Sequence, residues 1–242
     1  MYAWFRAGLA AALLLLVAIP TQAAEKAYEN ADLANAAVTL EADLKDDAPI
    51  AAPVAQMKKD AAALLKASDL TGAATVYAQI VVAAPNDAVA WRRLADIWLT
   101  IPVTDQDDGS TRFERARTAA YIAYERSTNP KDEVAALVTL ANAFGKASDW
   151  RPALDALKAA LKTSETPDLK LTYGQLREKY GFRVSNNSVD NDASSPRACF
   201  QFTEKLPKRT DFAPYVSVVG QDKPALSVDD QQLCVEGLKH GE

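Results

Sequence analysis

Two thiols are the residues of this chain with the clearest capacity for chemistry, and they are its only cysteines. Cys199 lies in "ACFQF" and Cys234 in "QLCVEG", which are short apolar segments near the C-terminal end of a 242-residue sequence. A redox pair or a paired zinc ligand needs two cysteines about two residues apart, and these two are much more distant. Outside the cytoplasm we predict the disulfide Cys199–Cys234, with two unpaired buried thiols as the alternative.

The other residue types that carry out chemistry do not form a recognisable site. His240, the only histidine, lies in a polar C-terminal segment and has no evident cysteine or serine partner for nucleophilic catalysis. The acidic segments Asp105–Ser110 and Asp190–Ser195 have no glycine at the position that a calcium-binding loop requires and no final glutamate, so we interpret both as solvated loops. The sequence therefore predicts no catalytic residue, no metal ligand and no cofactor, and a protein that is not an enzyme.

The N-terminal residues 1–23 have the pattern of a secretory signal peptide. Arg6 precedes an apolar run from Ala7 to Ile19, and small residues follow around a cleavage site after Ala23 or Ala24. The run is shorter than the roughly 20 residues that a transmembrane helix needs, although an uncleaved anchor is the alternative. With no cysteine nearby for lipid attachment, we predict a periplasmic or secreted protein that has no membrane span after cleavage.

The composition permits a packed core and argues against two classes of partner. Hydrophobic residues make up 49% of the chain and charged residues 24%, which is typical of globular domains. The net charge of −5 disfavours binding to nucleic acid or to an anionic membrane surface. Proteins are therefore the predicted partners.

Residues 24–53 predict an N-terminal helix and a linker. Glu25–Lys45 is rich in alanine and acidic residues, as in an exposed helix. The following segment Asp46–Pro53 contains two prolines, and these disfavour a continued helix.

Residues 54–180 repeat one spacing of apolar side chains. Intervals of three, one and three, followed by four and three, match the two antiparallel helices of a tetratricopeptide repeat. Asn129-Pro130 and Ser148-Asp149 predict capped helix starts, and Gly181 predicts a left-handed stop after a last helix. A non-repeating helical bundle is the alternative, because it would bury much the same residues. The predicted core residues are Met57, Ala61, Leu64, Ala73 and Tyr77 in the first unit; Trp91, Leu94, Ala95, Trp98, Ala116, Ala120, Ala123 and Tyr124 in the second; Leu137, Leu140, Ala141, Phe144, Ala153, Leu157 and Ala160 in the third; and Leu169, Tyr173, Leu176 and Tyr180 in the last helix.

The sequence predicts β-strands separated by turns in residues 181–242. Four runs, "FRVSNNSVDND", "RACFQFTEKLP", "PYVSVVGQDKPALSV" and "QLCVEGL", are rich in β-branched and aromatic residues, with clear alternation at Cys199–Phe202 and Tyr215–Val218. A β-sandwich usually has about seven strands, so we predict an incomplete one whose open edge seeks a further strand. The predicted fold class is α+β multidomain, a helical hairpin array followed by an incomplete β-sandwich.

The tail from Tyr180 to Glu242 also resembles a known family. Its segments "SPRACFQFTEKLP", "DFAPYVSVVGQDKPALSV" and "QLCVEGLKHGE" are similar to the start of the first macroglobulin-like domain of bacterial alpha-2-macroglobulins. The signal peptide and the helical hairpins resemble the N-terminal extension of many members. The resemblance implies a very large periplasmic protease trap, in which cleavage of a bait segment entraps the protease and a thioester within Cys-x-Glu-Gln often captures it.

The sequence departs from that family pattern at the residues that matter for capture. Neither Cys199 nor Cys234 is followed by the thioester residues, and no bait region can be identified, so no functional residue carries over. We therefore expect the N-terminal region of a longer inhibitor, acting as a docking or spacing module for proteases or envelope proteins and meeting the remaining macroglobulin domains. The alternative is a free-standing exported tetratricopeptide adaptor that binds a protein in its concave groove.

Overall fold

The computed structural model describes residues 26–190 and 196–239, and within them eight α-helices precede four β-strands. The predicted signal peptide lies outside the described residues. None of the described helices is long and apolar enough to cross a bilayer. The helices are α1 Ala31–Asp47, α2 Val54–Lys66, α3 Leu70–Ala83, α4 Ala88–Thr100, α5 Ser110–Arg126, α6 Pro130–Lys146, α7 Trp150–Thr163 and α8 Pro167–Tyr180; the strands are β1 Val184–Asp190, β2 Arg197–Phe202, β3 Ala225–Asp229 and β4 Gln232–Glu236.

Polar side chains fix the starts of most helices. Asn129 accepts the backbone N–H of Asp132, and Pro130 occupies the first turn of α6, as the sequence predicts. The predicted cap of α7 is only partly right. Asp149 is the residue before that helix, but its carboxylate accepts a hydrogen bond from Arg117 at 3.1 Å rather than from the backbone.

The N-terminal helix begins later than the sequence indicates. We expected helix from Glu25, whereas α1 starts at Ala31, because Asn30 caps it by accepting the N–H of Leu33 at 3.0 Å. Residues 26–30 instead lie in a non-helical conformation against the body of the array. The helix then ends at Asp47, within the predicted proline-containing linker.

Three helical hairpins, α2–α3, α4–α5 and α6–α7, pack side by side, and α8 packs on α7. Helix α1 lies across α5 and α3 and contributes Leu33, Leu40 and Leu44 to the common core. Small residues on α5 allow this close approach, since Ala116, Ala120 and several other alanines there are fully buried. The fold class is therefore α+β with a helical hairpin array, as predicted.

Asp87 connects the first two hairpins. Its carboxylate accepts the N–H of Ala90 at 2.9 Å, capping α4, and also pairs with Lys58 of α2 at 2.7 Å. Burial alone would raise the pKa of Asp87, but the hydrogen bonds from Lys58 and from backbone N–H groups outweigh it and hold the pKa below its ordinary value of 3.8.

We predict that Asp87→Ala lowers the free energy of unfolding by about 1 kcal/mol at neutral pH, mostly through loss of the cap, since Lys58 is half exposed. Because the folded pKa is depressed, the contribution of Asp87 is complete above its unfolded pKa of about 4 and is lost as the pH falls through the folded value. Urea denaturation at neutral pH and at decreasing acidic pH measures both effects. Asp87→Asn, which keeps the acceptor for Ala90, should retain most of the stability but lose this acid dependence; equal costs for the two variants would contradict the cap.

The four strands form one antiparallel sheet in the order β1-β2-β4-β3. The two central strands, β2 and β4, pair with Cys199 opposite Cys234 and Phe200 opposite Leu233. Strands β1 and β3 are the edges, and all seven residues of β1 are exposed. Within the described residues the sheet is a single layer, so only one layer of the predicted sandwich is observed.

Two local predictions in the tail are wrong. The alternating run Tyr215–Val218 is not a strand, because Ala213–Tyr215 forms a 3-10 turn and Gly220, with φ of +85°, closes a bend after it. Gly181 is extended, with φ of −74°, rather than left-handed. It is required for a different reason: a Cβ there would lie 2.4 Å from the carbonyl oxygen of Arg177.

Hydrogen bonds and one aromatic contact hold the junction between array and sheet. Arg151 of α7 donates to Glu204 at 2.8 Å, and the hydroxyl of Thr203 donates to the carbonyl of Gly181 at 3.2 Å. Near the junction, Phe182 stacks on Phe202 with ring centroids 4.9 Å apart. The chain therefore passes from α8 into the sheet with its direction fixed by several contacts.

Candidate protein-binding surfaces

The two cysteines lie directly opposite each other on the central strands of the sheet. Cys199 of β2 and Cys234 of β4 are register partners, their Cα atoms are 4.0 Å apart, and a disulfide joins them. Each residue is only 5% exposed. The bond therefore joins the central strand pair, a structural position rather than a reactive one.

The sheet face that carries the cysteines is otherwise polar. Side chains alternate along a strand, so Gln201 and Glu236 share this face with the disulfide. Ser227 of β3 donates to the carboxylate of Glu236 at 2.6 Å, which ties an edge strand to a central one. Ser227 and Glu236 thus have partners inside the sheet.

The opposite face of the sheet is apolar. Alternation places Phe200 and Phe202 of β2 there, together with Leu233 and Val235 of β4. The loop residues 215–219 lie beside this face. The loop and the sheet line a cavity of about 780 Å³ that is open to solvent. We name this surface the apolar sheet face; its lining residues are Ala198, Phe200, Phe202, Tyr215, Val216, Ser217, Val218, Val219, Leu233, Val235 and Leu238.

Several side chains beside the apolar sheet face are in solvent. Val219 is 95% exposed and Tyr215 is 81% exposed. Alternation at Cys199–Phe202 indicated one wall of this surface from the sequence, whereas the loop wall was missed because Tyr215–Val218 was predicted as a strand. Leu233 and Val235 at the centre of the apolar sheet face are in contrast buried, so the exposed apolar area lies on the loop side of the cavity.

A second concave surface lies between α4, α6 and α8. This helical groove has a volume of about 810 Å³. Trp150 forms part of its wall and stacks on Tyr180 with ring centroids 3.7 Å apart, a contact that the sequence did not predict. Its polar lining includes Asn142 and Lys146, which are exposed, and Asp96, which is paired with Arg92 at 2.8 Å. A groove with both apolar and hydrogen-bonding groups suits a polypeptide segment better than a small apolar molecule.

The acidic segment Asp105–Ser110 forms a self-contained loop between α4 and α5. Asp107 accepts the backbone N–H of Gly109 at 2.8 Å and also pairs with Arg112. The Gly109 hydrogen bond, followed by that from Arg112, lowers the pKa of Asp107. Its carboxylate is thus used for loop closure, and the interpretation of this segment as a solvated loop agrees with its exposure.

The remaining candidate residues lie mostly outside the described part of the chain. Asp190 ends β1, whereas residues 191–195 of the second acidic segment and His240 are not described. Among residues 26–190 and 196–239, no group of three or more histidine, cysteine or acidic side chains is placed to hold a metal ion.

These features define a helical hairpin repeat protein joined to an open, disulfide-linked antiparallel sheet. The sequence matches no protein-family model and no curated protein. Among solved structures it is similar to the N-terminal domain of stress-induced protein-1 (STI-1) from C. elegans, with 18% identity and a TM-score of 0.41, over 62% of this chain and 99% of that one.

Proposed function

We propose that this chain is a non-catalytic module of an exported protease inhibitor of the alpha-2-macroglobulin type, and that it acts through protein contacts. The single observation that supports this most is the apolar sheet face. A sheet with one apolar face is stable when that face packs against a second layer. Among the described residues the loop 215–219 covers part of this face, where Leu233 and Val235 are 5% and 3% exposed, and no second sheet is present. A macroglobulin-like sandwich would supply that layer from further strands of a longer polypeptide.

In this proposal the two parts of the chain have different tasks. The sheet, held by Cys199–Cys234, receives the second layer of the β-domain. The helical array acts as a docking or spacing module in the periplasm or outside the cell, where proteases or envelope proteins are the partners. The disulfide supports export, because such bonds persist in oxidising compartments.

A free-standing exported adaptor is the second candidate function. The helical groove favours it, since this concave surface, walled by Trp150 and lined by Asn142 and Lys146, is complete without any contribution from the sheet. In that case the groove would bind the partner and the sheet would have no inhibitor domain to complete.

The experiment sequences the DNA downstream of codon 242. Where the reading frame continues, the longer product is expressed and compared with the present chain. We expect the present chain to bind an apolar fluorescent dye at the apolar sheet face, and the longer product to have lost that binding. Phe200→Ser should reduce dye binding to the present chain, whereas Leu171→Ser on α8, which removes a more exposed apolar side chain elsewhere, should not. A protease trap should also slow cleavage of a large protein substrate more than that of a short peptide. A frame that stops at once would favour the adaptor, and so would a longer product that binds the dye as strongly as the present chain.

A further inference from the structure

One edge of the sheet is long, exposed and open to pairing. Strand β1 is the longest of the described strands, with seven residues, and every one of them is exposed. Among the described strands it pairs only with β2, so its outer side forms an edge of the sheet. Edge strands are commonly blocked by lysine, by proline or by shortness, and β1 has none of these three features. The opposite edge, β3, has five residues and follows Pro224, which has no N–H.

Backbone groups of β1 point outward along this edge. In an antiparallel ladder, alternate residues direct both of their backbone groups to the same neighbour. Phe202 of β2 donates its N–H to the residue before β4, so its register partner Val184 directs its own groups away from β2. By the same alternation, Asn187 and Val189 also face the open edge. The N–H of Asn187 accordingly donates to the side-chain oxygen of Asn186, at 2.9 Å, instead of to β2.

Opposite charges flank the edge strand. Arg183 precedes β1 and Asp190 ends it, and no residue between them is charged. The guanidinium of Arg183 donates to the carbonyls of Lys179 and Gly181, at 2.9 and 3.4 Å, and to no carboxylate that the structure describes. Asp190 lies 4.0 Å from Arg197, at the limit of an ion pair. Two β1 strands placed antiparallel bring the positive end of each to the negative end of the other, whereas a parallel pair brings like charges together.

The apolar side chains match in the same antiparallel arrangement. Its two-fold axis lies at Asn187, and the bulge at Ser185, which β1 already has in its register with β2, occurs in both copies. Val184 of each copy then lies opposite Val189 of the other, and the opposite charges meet one residue further out. The two valines are 47% and 60% exposed. Both lie on the side of the apolar sheet face, because their register partners on β2 line that face.

We propose that this chain forms a symmetric dimer by antiparallel pairing of β1 with β1 of a second copy, which joins the two four-stranded sheets into one. This dimer goes beyond the proposed function, because it requires neither export nor a second layer on the apolar sheet face. Strand β1 follows closely after α8, so antiparallel pairing keeps the two helical arrays at opposite ends of the joined strands. A contact of one strand is small, so the dimer is weak and depends on protein concentration.

The test is sedimentation equilibrium of the purified chain, made from its complete coding sequence, over a wide range of concentrations. We expect the wild type to dimerise and Asn187→Pro, which removes an outward N–H but no bond to β2, to raise the dissociation constant about tenfold. Arg183→Glu should raise it similarly, because it places like charges opposite each other. The double variant Arg183→Glu/Asp190→Lys exchanges the two ends and should restore the dimer. Asp229→Lys, which changes the charge by the same amount on β3, should behave as wild type.

The remaining outcomes decide against the dimer. A chain that sediments as a monomer at every concentration would overturn the proposal and leave the edge to a strand of another protein or of a longer chain. A dimer that persists in Asn187→Pro and Arg183→Glu would overturn it as well, and its loss in Val219→Ser would place the contact at the loop beside the apolar sheet face. Circular dichroism of each variant confirms folding. Should Asn187→Pro fail to fold, the loss in Arg183→Glu and the recovery in the double variant decide alone.

Discussion

Replacing Cys199 and Cys234 together by serine is expected to lower the stability of the sheet by about 3–4 kcal/mol while the helical array stays folded. The disulfide closes a loop with a sequence separation of 35 residues, and losing that constraint returns conformational entropy to the unfolded tail. The effect on the sheet is large because the bond joins its two central strands.

Two probes separate the parts of the molecule in this experiment. Within the described residues the tryptophans Trp91, Trp98 and Trp150 all lie on helices, so their fluorescence reports the array. Trypsin cleavage after Arg197, which lies in the central strand β2, reports opening of the sheet. We expect rapid tryptic cleavage in the double variant and an unchanged fluorescence transition, and the control Ser188→Ala, opposite Cys199 on β1, should behave as wild type. If the fluorescence transition moved by the same amount, the array and the sheet would be one cooperative unit.

Trp91→Ala is expected to cost about 4 kcal/mol and to unfold much of the array at moderate temperature. Trp91 is 1% exposed in α4, and removing a large buried aromatic side chain leaves a cavity that packed helices fill only in part. Its indole N–H also donates to the carbonyl of Pro85 at 2.8 Å, an acceptor in the connection between α3 and α4. Chemical denaturation followed by helical circular dichroism measures the loss.

Trp91→Phe provides the matched control, since it retains most of the ring volume but not the N–H. We expect it to cost about 1–2 kcal/mol, from the hydrogen bond and the smaller ring together. Val38→Ala, at a position of α1 that is 72% exposed, should change the stability by less than about 0.5 kcal/mol. A Trp91→Ala protein that unfolds at the wild-type denaturant concentration would show that α4 does not belong to the common core.

Much of the helical array could be predicted because its signal is local. The intervals among Leu137, Leu140 and Phe144 follow from 3.6 residues per turn, and all three are buried as expected. The caps Asn129 and Pro130 act within one turn of helix and need no tertiary partner. Helix periodicity and capping are therefore properties of short segments, and a sequence displays them directly.

The candidate surfaces were predictable only in part. Alternation in Cys199–Phe202 indicated a strand with one apolar side, and the structure places Phe200 and Phe202 on the apolar sheet face. The other wall, Val216–Val218, alternates equally well but lies beside the sheet instead of in it, because a turn at Ala213–Tyr215 and the bend at Gly220 prevent pairing. Two-residue alternation specifies which side chains point the same way, and strand pairing depends on partners elsewhere in the chain.

By itself, the sequence determined the helical hairpins, the change to β-structure after Gly181 and the pairing partner of each thiol, since these depend on local periodicity and on a cysteine count of two. Only the tertiary structure decided which distant residues meet. Lys26 contacts the end of α5, Trp150 stacks on Tyr180, and the loop after Tyr215 lies at the edge of an apolar cavity. Such contacts join residues many positions apart, and their free energy comes from desolvation and from hydrogen-bond geometry that exist only once the elements have packed.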